Sequence, residues 1–277
     1  MSNRGAGGVC YRHPDRATAI RCQRCERFIC PEDMREAAVG FQCPECVRAG
    51  AKSVRQPRTV AGGVAQVLNG QVTRALIGLN VAAYLLGMAW SGFSVWAGMT
   101  TGDVFFNDEI YRFVTANFVH FGILHLLLNM LALWMFGNYV ESALGRWRYV
   151  VSLVLLGLGS SVSVYLWSPT NALSGGASGI VFGLFGIAFL LMIRRRDDLR
   201  SMLVLLAVNG LFSWQGGISW QAHLGGFLVG VALGALFVYA PRVHRDRWHV
   251  AGVVVIGLVL AAAAAFRSAQ LDALVNR

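Results

Sequence analysis

The sequence predicts an all-α polytopic membrane protein preceded by a small metal-binding domain. Of its 277 residues, 56% are hydrophobic and only 14% are charged, whereas soluble domains carry roughly 25% charged residues. All six cysteines lie near the amino terminus, and none falls in the apolar segments that follow. The chain is therefore expected to contain a metal-binding domain at 1–50, a linker at 51–70, a membrane domain at 71–267 and a tail at 268–277.

The net charge of +10 comes mostly from arginine, with Lys52 as the only lysine. Basic residues can attract nucleic acid or anionic lipid, but nine of these arginines sit in short loops between apolar segments, where a role in membrane topology is expected. We therefore expect no nucleic-acid partner. The amino-terminal region holds no apolar run long enough for a signal peptide, which places this region in the reducing cytoplasm and favours metal-bound thiolates over disulfides.

The first domain contains four pairs of residues of metal-ligand type, each with two residues between its members. The pairs are Cys10 and His13, Cys22 and Cys25, Cys30 and Asp33, and Cys43 and Cys46. Sulfur, imidazole and carboxylate ligands at this spacing suit tetrahedral Zn²⁺. Because Cys25 and Cys30 are close in sequence, we expect interleaving. The first and third pairs would bind one ion, and the second and fourth pairs the other.

This order of ligands resembles that of B-box-type zinc fingers. The number of ligands suits two structural Zn²⁺ ions. The resemblance implies a small interaction module, without catalysis, that would bind a cytoplasmic protein partner. In the alternative, zinc only folds a segment that is too short to build its own core.

Seven apolar segments follow, and several approach the ~20 residues that cross a ~30 Å hydrocarbon core. They lie near 72–90, 122–140, 148–167, 178–193, 201–212, 221–240 and 250–266. The loops expected on the cytoplasmic side contain nine arginines, whereas the short outer loops contain only Arg112. This asymmetry follows the positive-inside rule. It predicts a plasma-membrane protein with its amino terminus in the cytoplasm and its tail outside.

Ser178, which lies between Gly176 and Gly179, is a candidate nucleophile at the expected start of the fourth segment. Flanking glycines allow a close backbone approach, and free N–H groups at a helix start can stabilise an oxyanion. The motif alone is weak, because small residues at helical spacing also let membrane helices pack closely.

His223 is the only ionisable residue in the sixth segment, and such residues inside a membrane span are usually functional. At ~1.5 Å per residue, Ser178 lies ~24 Å from Arg194 and His223 lies ~27 Å from Pro241, so both share one depth. Glycine rows on the two segments would bring their helices together. A serine with a histidine base performs acyl transfer, and with no carboxylate near this depth we expect a dyad. In the alternative, a backbone carbonyl satisfies the histidine.

His125 and Asn129 are four residues apart in the second segment and therefore share one helical face. Two such hydrogen-bond donors aimed at one point can form an oxyanion hole. Interhelical hydrogen bonding for packing alone is the alternative.

Together these motifs resemble the rhomboid intramembrane serine proteases over roughly residues 70–267. The matching residues are Tyr111-Arg112, His120 with His125 and Asn129, Gly176-Ala177-Ser178-Gly179, and Ala222-His223 followed by Gly226 and Gly230. The resemblance implies a six-helix bundle with a seventh, carboxyl-terminal transmembrane helix. It also implies that Ser178 is the nucleophile and His223 the base, with an oxyanion hole of His125, Asn129 and the Ser178 N–H.

The resemblance gives supporting roles to several other residues near the site. These are His120, Gly176, Gly179, Phe182, Gly226, Gly230, Arg112 and Glu141. Phe182 stands where many relatives have a tyrosine, and one turn from Ser178 it can still stack on His223.

The function expected from these residues is that of a serine endopeptidase, active within the lipid bilayer. It would cleave single-pass transmembrane substrates, need no cofactor for catalysis and open to the outer face. Substrate entry is expected beside the fifth segment and the loop Ser213–Ser219. One alternative is a rhomboid-like adaptor that binds membrane clients without cutting them. Another is a transporter, although no inverted repeat is visible.

Overall fold

A computed structural model describes residues 7–53, 59–62, 70–204, 206–207 and 219–277. The chain forms two compact units, Met1–Pro57 and Arg58–Arg277. Much of the expected linker at 51–70, part of the fifth segment and the expected entry loop up to residue 218 lie outside the described residues.

The first unit contains two short antiparallel hairpins, a 3-10 turn at Pro31–Asp33 and one carboxyl-terminal helix. Its elements are β1 (Gly8–Val9) paired with β2 (Ala17–Thr18), β3 (Arg35–Glu36) paired with β4 (Phe41–Gln42), and α1 (Pro44–Ser53). Its apolar core consists of Ile29 and the side chains of three buried cysteines. So small a core gives little stability by itself, because short chains bury too little surface.

The second unit is helical, and six of its described helices are long and apolar enough to cross a membrane. These are α2 (Gln71–Ala89), α6 (Ile123–Leu144), α7 (Arg146–Trp167), α8 (Ser178–Arg195), α9 (Trp220–Tyr239) and α10 (Arg245–Val275). Three short helices lie in the connection from α2 to α6: α3 (Phe93–Ala97), α4 (Thr101–Phe106) and α5 (Arg112–Thr115). The six long helices match every predicted segment except the fifth, whose described residues 201–204 and 206–207 are helical.

The last helix is longer than the sequence pattern indicates. α10 contains 31 residues and continues through most of the stretch expected to be a tail. The prediction ended this segment at residue 266, just before Arg267, where the apolar run stops. However, arginine, alanine, glutamine and leucine are all good helix formers, so the helix continues although its hydrophobicity falls.

Rows of glycine bring the backbones of α8 and α9 into direct contact. A Cβ atom added at Gly183 would lie 2.9 Å from the carbonyl oxygen of Gly226, and one added at Gly230 would overlap the carbonyl oxygen of Gly183. A Cβ atom at Gly226 would likewise overlap the carbonyl oxygen of Gly179. Small residues allow this close approach between membrane helices, and it fixes the two amino-terminal ends side by side.

Candidate functional site

The loop between α7 and α8 is non-helical and is held by backbone hydrogen bonds to the α2–α6 connection. Met99 and Ser174 exchange two N–H···O bonds of 2.8 Å, and the Gly176 N–H donates to the Ala116 carbonyl at 2.9 Å. These bonds satisfy backbone groups that would otherwise be costly at membrane depth. They also set the position at which α8 begins, at Ser178.

Ser178 and His223 meet at the amino-terminal ends of α8 and α9. The Oγ atom of Ser178 lies 2.7 Å from Nε2 of His223, and the histidine is buried. The ring of Phe182, one turn along α8, stacks on the imidazole with centroids 4.1 Å apart and planes inclined by 9°. This stacking limits rotation of the histidine and keeps Nε2 directed at the serine.

Two groups that can donate hydrogen bonds, the Ser178 N–H and the His125 ring, lie beside the serine side chain. The first intrahelical bond of α8 runs from the Val181 N–H to the Ala177 carbonyl, so the Ser178 N–H precedes the helical ladder. Gly176 has φ +136°, a backbone conformation that favours glycine. A Cβ atom there would lie 2.9 Å from Nε2 of His125 and 3.7 Å from Oγ of Ser178. The His125 ring therefore lies beside the serine.

Asn129 and His120 flank His125. The Asn129 side-chain amide donates one hydrogen bond of 2.8 Å to the His125 carbonyl, which leaves its second N–H for another acceptor. His120 has Nδ1 3.2 Å from the Phe118 carbonyl and its ring centroid 5.0 Å from that of His125. Burial, with a smaller contribution from His125, lowers the pKa of His120 to about 4. The neutral His120 ring then donates from Nδ1 to Phe118.

Arg112 ties together the α2–α6 connection. Its buried guanidinium pairs with Glu109 at 2.5 Å and with Asp103 at 3.2 Å. It also donates to the carbonyls of Val95 and Gly98. The side chain thus fixes the loop that in turn holds the loop before Ser178.

Glu141 belongs to α6 and is fully buried. Its carboxylate lies at the amino-terminal end of α2, away from Ser178. Its carboxylate accepts from the backbone N–H groups of Val72 and Thr73 at 3.1 and 2.9 Å, and from the Thr73 hydroxyl at 2.7 Å. A carboxylate at a helix amino terminus satisfies free N–H groups and complements the helix dipole. Glu141 therefore caps the first membrane helix.

Two polar residues near the site were not identified from the sequence. Asn117 donates to the Phe113 carbonyl at 3.1 Å and to the Ser161 hydroxyl at 3.3 Å, which links the α2–α6 connection to α7. Ser160 packs on Gly179 so closely that a Cβ atom there would overlap it. Both contacts join residues far apart in the chain. The sequence carries no local signal for either contact.

The first unit brings eight predicted ligands into two groups, and within each group all ligand atoms lie within 4.8 Å of one another. The groups are Cys10, His13, Cys30 and Asp33, and Cys22, Cys25, Cys43 and Cys46. This is the interleaved pairing expected from the sequence. Both groups could hold a metal ion.

In the mixed group, the distances between ligand atoms suit a tetrahedral site. Nδ1 of His13 lies 3.3 Å from Sγ of Cys30 and 3.8 Å from Sγ of Cys10. At metal–ligand distances of 2.0–2.3 Å, tetrahedral neighbours are about 3.3–3.8 Å apart. Arg12 donates a hydrogen bond of 3.1 Å to Oδ1 of Asp33. This contact leaves Oδ2 of the same carboxylate directed toward the group.

In the all-cysteine group, hydrogen bonds favour the thiolate form of two members, Cys22 and Cys25, whereas burial raises the pKa of Cys46 to about 12. Sγ of Cys25 lies 3.7 Å from Sγ of Cys43, which fits shared coordination and is far too long for a disulfide. Burial opposes ionisation of Cys22, but backbone N–H groups, led by that of Cys43, lower its pKa to about 6. Arg27 donates to Sγ of Cys25 at 3.3 Å and offsets negative charge. Hydrogen bonds to these sulfur atoms fit a Zn²⁺ site, because cysteines that bind zinc are deprotonated.

Comparison with known proteins identifies relatives of the second unit. Residues 107–240 match the model of the Rhomboid domain family. The chain is 32% identical to Bacillus subtilis YdcA over 48% of this chain and 69% of that protein. It is 33% identical to the rhomboid protease GlpG of Salmonella newport over 45% of this chain and 48% of GlpG.

Arabidopsis thaliana RHOMBOID-like protein 4 is 31% identical over 57% of this chain and 42% of its own length. The chain spans about half the length of the curated relatives it matches, between 42% and 69% for these three. The domain match and the six candidate spans identify an integral multi-pass membrane protein.

Proposed function

Because this chain belongs to the rhomboid family, we propose that it is an intramembrane serine endopeptidase that cleaves transmembrane segments of single-pass membrane proteins. The 2.7 Å contact between Ser178 Oγ and His223 Nε2 carries this proposal. A histidine base this close can take the hydroxyl proton and so activate the serine. Protease-named relatives support the same reaction.

In the proposed reaction, Ser178 Oγ attacks the scissile carbonyl carbon as its proton passes to His223 Nε2. The oxyanion accepts hydrogen bonds from the Ser178 N–H, His125 and Asn129, which stabilise the charge that develops in the transition state. The C–N bond then breaks, and His223 protonates the leaving amine. Water, deprotonated by His223, hydrolyses the serine ester and restores the free hydroxyl.

The arrangement of the site also suggests the class of substrate. Ser178 starts a membrane helix and lies toward one end of the bundle. A substrate helix must therefore unwind locally to expose its backbone to Oγ. Helix-weakening residues near the cleavage site are expected for this reason. The arginine asymmetry of the loops supports the proposal that this end faces outward and that the first unit lies in the cytoplasm.

For the first unit, we propose two structural Zn²⁺ ions, one in each ligand group. Bound zinc would stabilise the folded state of a unit that has little apolar core, as it does in small zinc-binding domains. Cys10, His13, Cys30 and Asp33 would hold one ion and the four remaining cysteines the other. The unit would bind a cytoplasmic protein partner.

A cleavage assay in lipid tests the proposed activity. The protein and its Ser178→Ala variant are incubated in proteoliposomes with a single-pass membrane protein carrying glycine residues in its span. We expect cleavage by the unsubstituted protein only. Equal cleavage by both would overturn the assignment of Ser178. Retention of uncut substrate by both would favour the adaptor alternative.

A further inference from the structure

The last helix is too long for the bilayer that its first part crosses. The 31 residues of α10 measure about 46 Å at 1.5 Å per residue, against a hydrocarbon core of about 30 Å. Its final third, from about Phe266 to Val275, therefore projects past the core. The Ser268 hydroxyl in the projecting part lies 2.9 Å from the hydroxyl of Tyr165. Tyr165 lies near the carboxyl-terminal end of α7, which leads into α8. The projecting part therefore lies at the end of the bundle where α8 begins.

One residue of this projection is buried. Leu271 is 8% exposed, whereas Leu274 is 64% exposed and Val275 60%. Leu271 belongs to a cluster of packed side chains with Met99, Val104, Ala116, Val164 and Tyr165, against which Phe105, Phe113, Ala222 and Ala264 also pack. The apolar packing of the projection is therefore concentrated at Leu271.

This cluster borders both halves of the Ser178–His223 pair. On the serine side, Met99 pairs with Ser174, and the Ala116 carbonyl accepts from the Gly176 N–H. These bonds hold the loop from which α8 starts. On the histidine side, Ala222 immediately precedes His223.

A second group of contacts fixes the projection to α7. The Arg267 Nε donates to the Tyr165 carbonyl at 3.3 Å, in addition to the contact between the Ser268 and Tyr165 hydroxyls. The Tyr165 ring meets that of Phe113 edge to face, with centroids 5.5 Å apart. α10 is thus fixed to Tyr165, and Tyr165 in turn packs on the α2–α6 connection through Phe113.

We propose that the projecting end of α10 positions the catalytic pair, with Leu271 as its central positioning residue. This inference rests on the proposed function. Leu271 touches no reacting atom and acts through the serine loop and Ala222. Displacements of about 1 Å caused by distant substitutions can slow an enzyme about 100-fold, so loss of this packing should reduce reactivity.

The test measures how fast a fluorophosphonate probe labels Ser178 in the full chain in nanodiscs. In this reaction Oγ of the serine forms a bond to phosphorus and fluoride leaves. The variants are Leu271→Ala, Leu271→Met as the conservative substitution, Ser268→Ala and Leu274→Ala as the exposed control. The rate constant reports the geometry of folded molecules. The final amplitude reports how many molecules are folded.

We expect Leu271→Ala to lower the labelling rate constant about 10- to 100-fold, Ser268→Ala to lower it less, and Leu271→Met to restore most of it. Leu274→Ala should match the unsubstituted protein. A rate constant within twofold of normal for Leu271→Ala would overturn the inference, as would an equal loss in Leu274→Ala. If Leu271→Ala gives no amplitude because it does not fold, Ser268→Ala decides, and a normal rate constant there overturns the inference.

Failure of the proposed function gives a different result. In that case the unsubstituted protein is not labelled, or Ser178→Ala is labelled equally. Failure of this inference alone leaves the unsubstituted protein labelled on Ser178, with either a normal rate constant in Leu271→Ala or an equal loss in Leu271→Ala and Leu274→Ala.

Discussion

The Oγ atom of Ser178 and the Nε2 atom of His223 lie 2.7 Å apart although 45 residues separate them in the chain. Their two helices meet through glycine rows that permit backbone contact. The contact lies at the amino-terminal ends of both helices, where free N–H groups are available.

Replacing the proposed base should abolish activity without unfolding the protein. His223→Ala is expected to lower the rate of substrate cleavage by at least about 1,000-fold, because the serine then has no proton acceptor. Cleavage in proteoliposomes is measured beside His244→Ala, a control at a histidine in the α9–α10 loop. A fall of tenfold or less in His223→Ala would argue against a general base at this position.

Loss of the His125 ring should slow the chemical step. His125→Ala is expected to reduce kcat about 100- to 1,000-fold, the usual cost of one oxyanion-hole donor, with little change in KM. Leu128→Ala is the matched control, because this residue lies on the same helix and is exposed. If the two variants have the same kcat, His125 plays no part in oxyanion stabilisation.

The contact between α8 and α9 depends on glycine. Gly226→Ala places a methyl group against the Gly179 carbonyl and should lower the free energy of unfolding by about 1–3 kcal/mol, with a parallel loss of cleavage. Gly78→Ala on α2 is the control, since a Cβ atom there meets nothing within 4 Å. Detergent-denaturation curves of both variants compare them directly. Equal stability would show that the helices do not need this close approach.

The interleaved metal sites predict the metal content of the full chain. We expect two zinc ions per chain in the purified protein. Cys25→Ser and Cys30→Ser should each retain one, because they disrupt different ligand groups. Asp15→Asn, outside both groups, should retain two. Elemental analysis by mass spectrometry makes the measurement, and loss of both ions from either cysteine variant would contradict independent sites.

Much of the membrane fold could be predicted from local pattern. The lengths of the apolar segments identified the six long helices. Counting residues along two of these segments indicated that Ser178 and His223 lie at a similar depth in the membrane. The spacing of glycines predicted the α8–α9 contact. These features are readable because helical periodicity ties them to positions close in sequence.

Other features depend on contacts that no local pattern encodes. The capping of α2 by Glu141 joins residues about 70 positions apart, and the hydrogen bond from Gly176 to Ala116 joins two loops. The end of α10 was misplaced because hydrophobicity falls at Arg267, whereas helix propensity does not. The packing of Leu271 depends on that continuation and became visible only in three dimensions.

The most direct test of the catalytic pair is to map the residue that a fluorophosphonate modifies. The full chain in nanodiscs is treated with the probe, digested and sequenced by mass spectrometry. We predict one adduct, on Ser178, that is lost in Ser178→Ala and formed at least about 1,000-fold more slowly in His223→Ala. An adduct on a different residue, or equal labelling of Ser178 when His223 is replaced, would contradict the account.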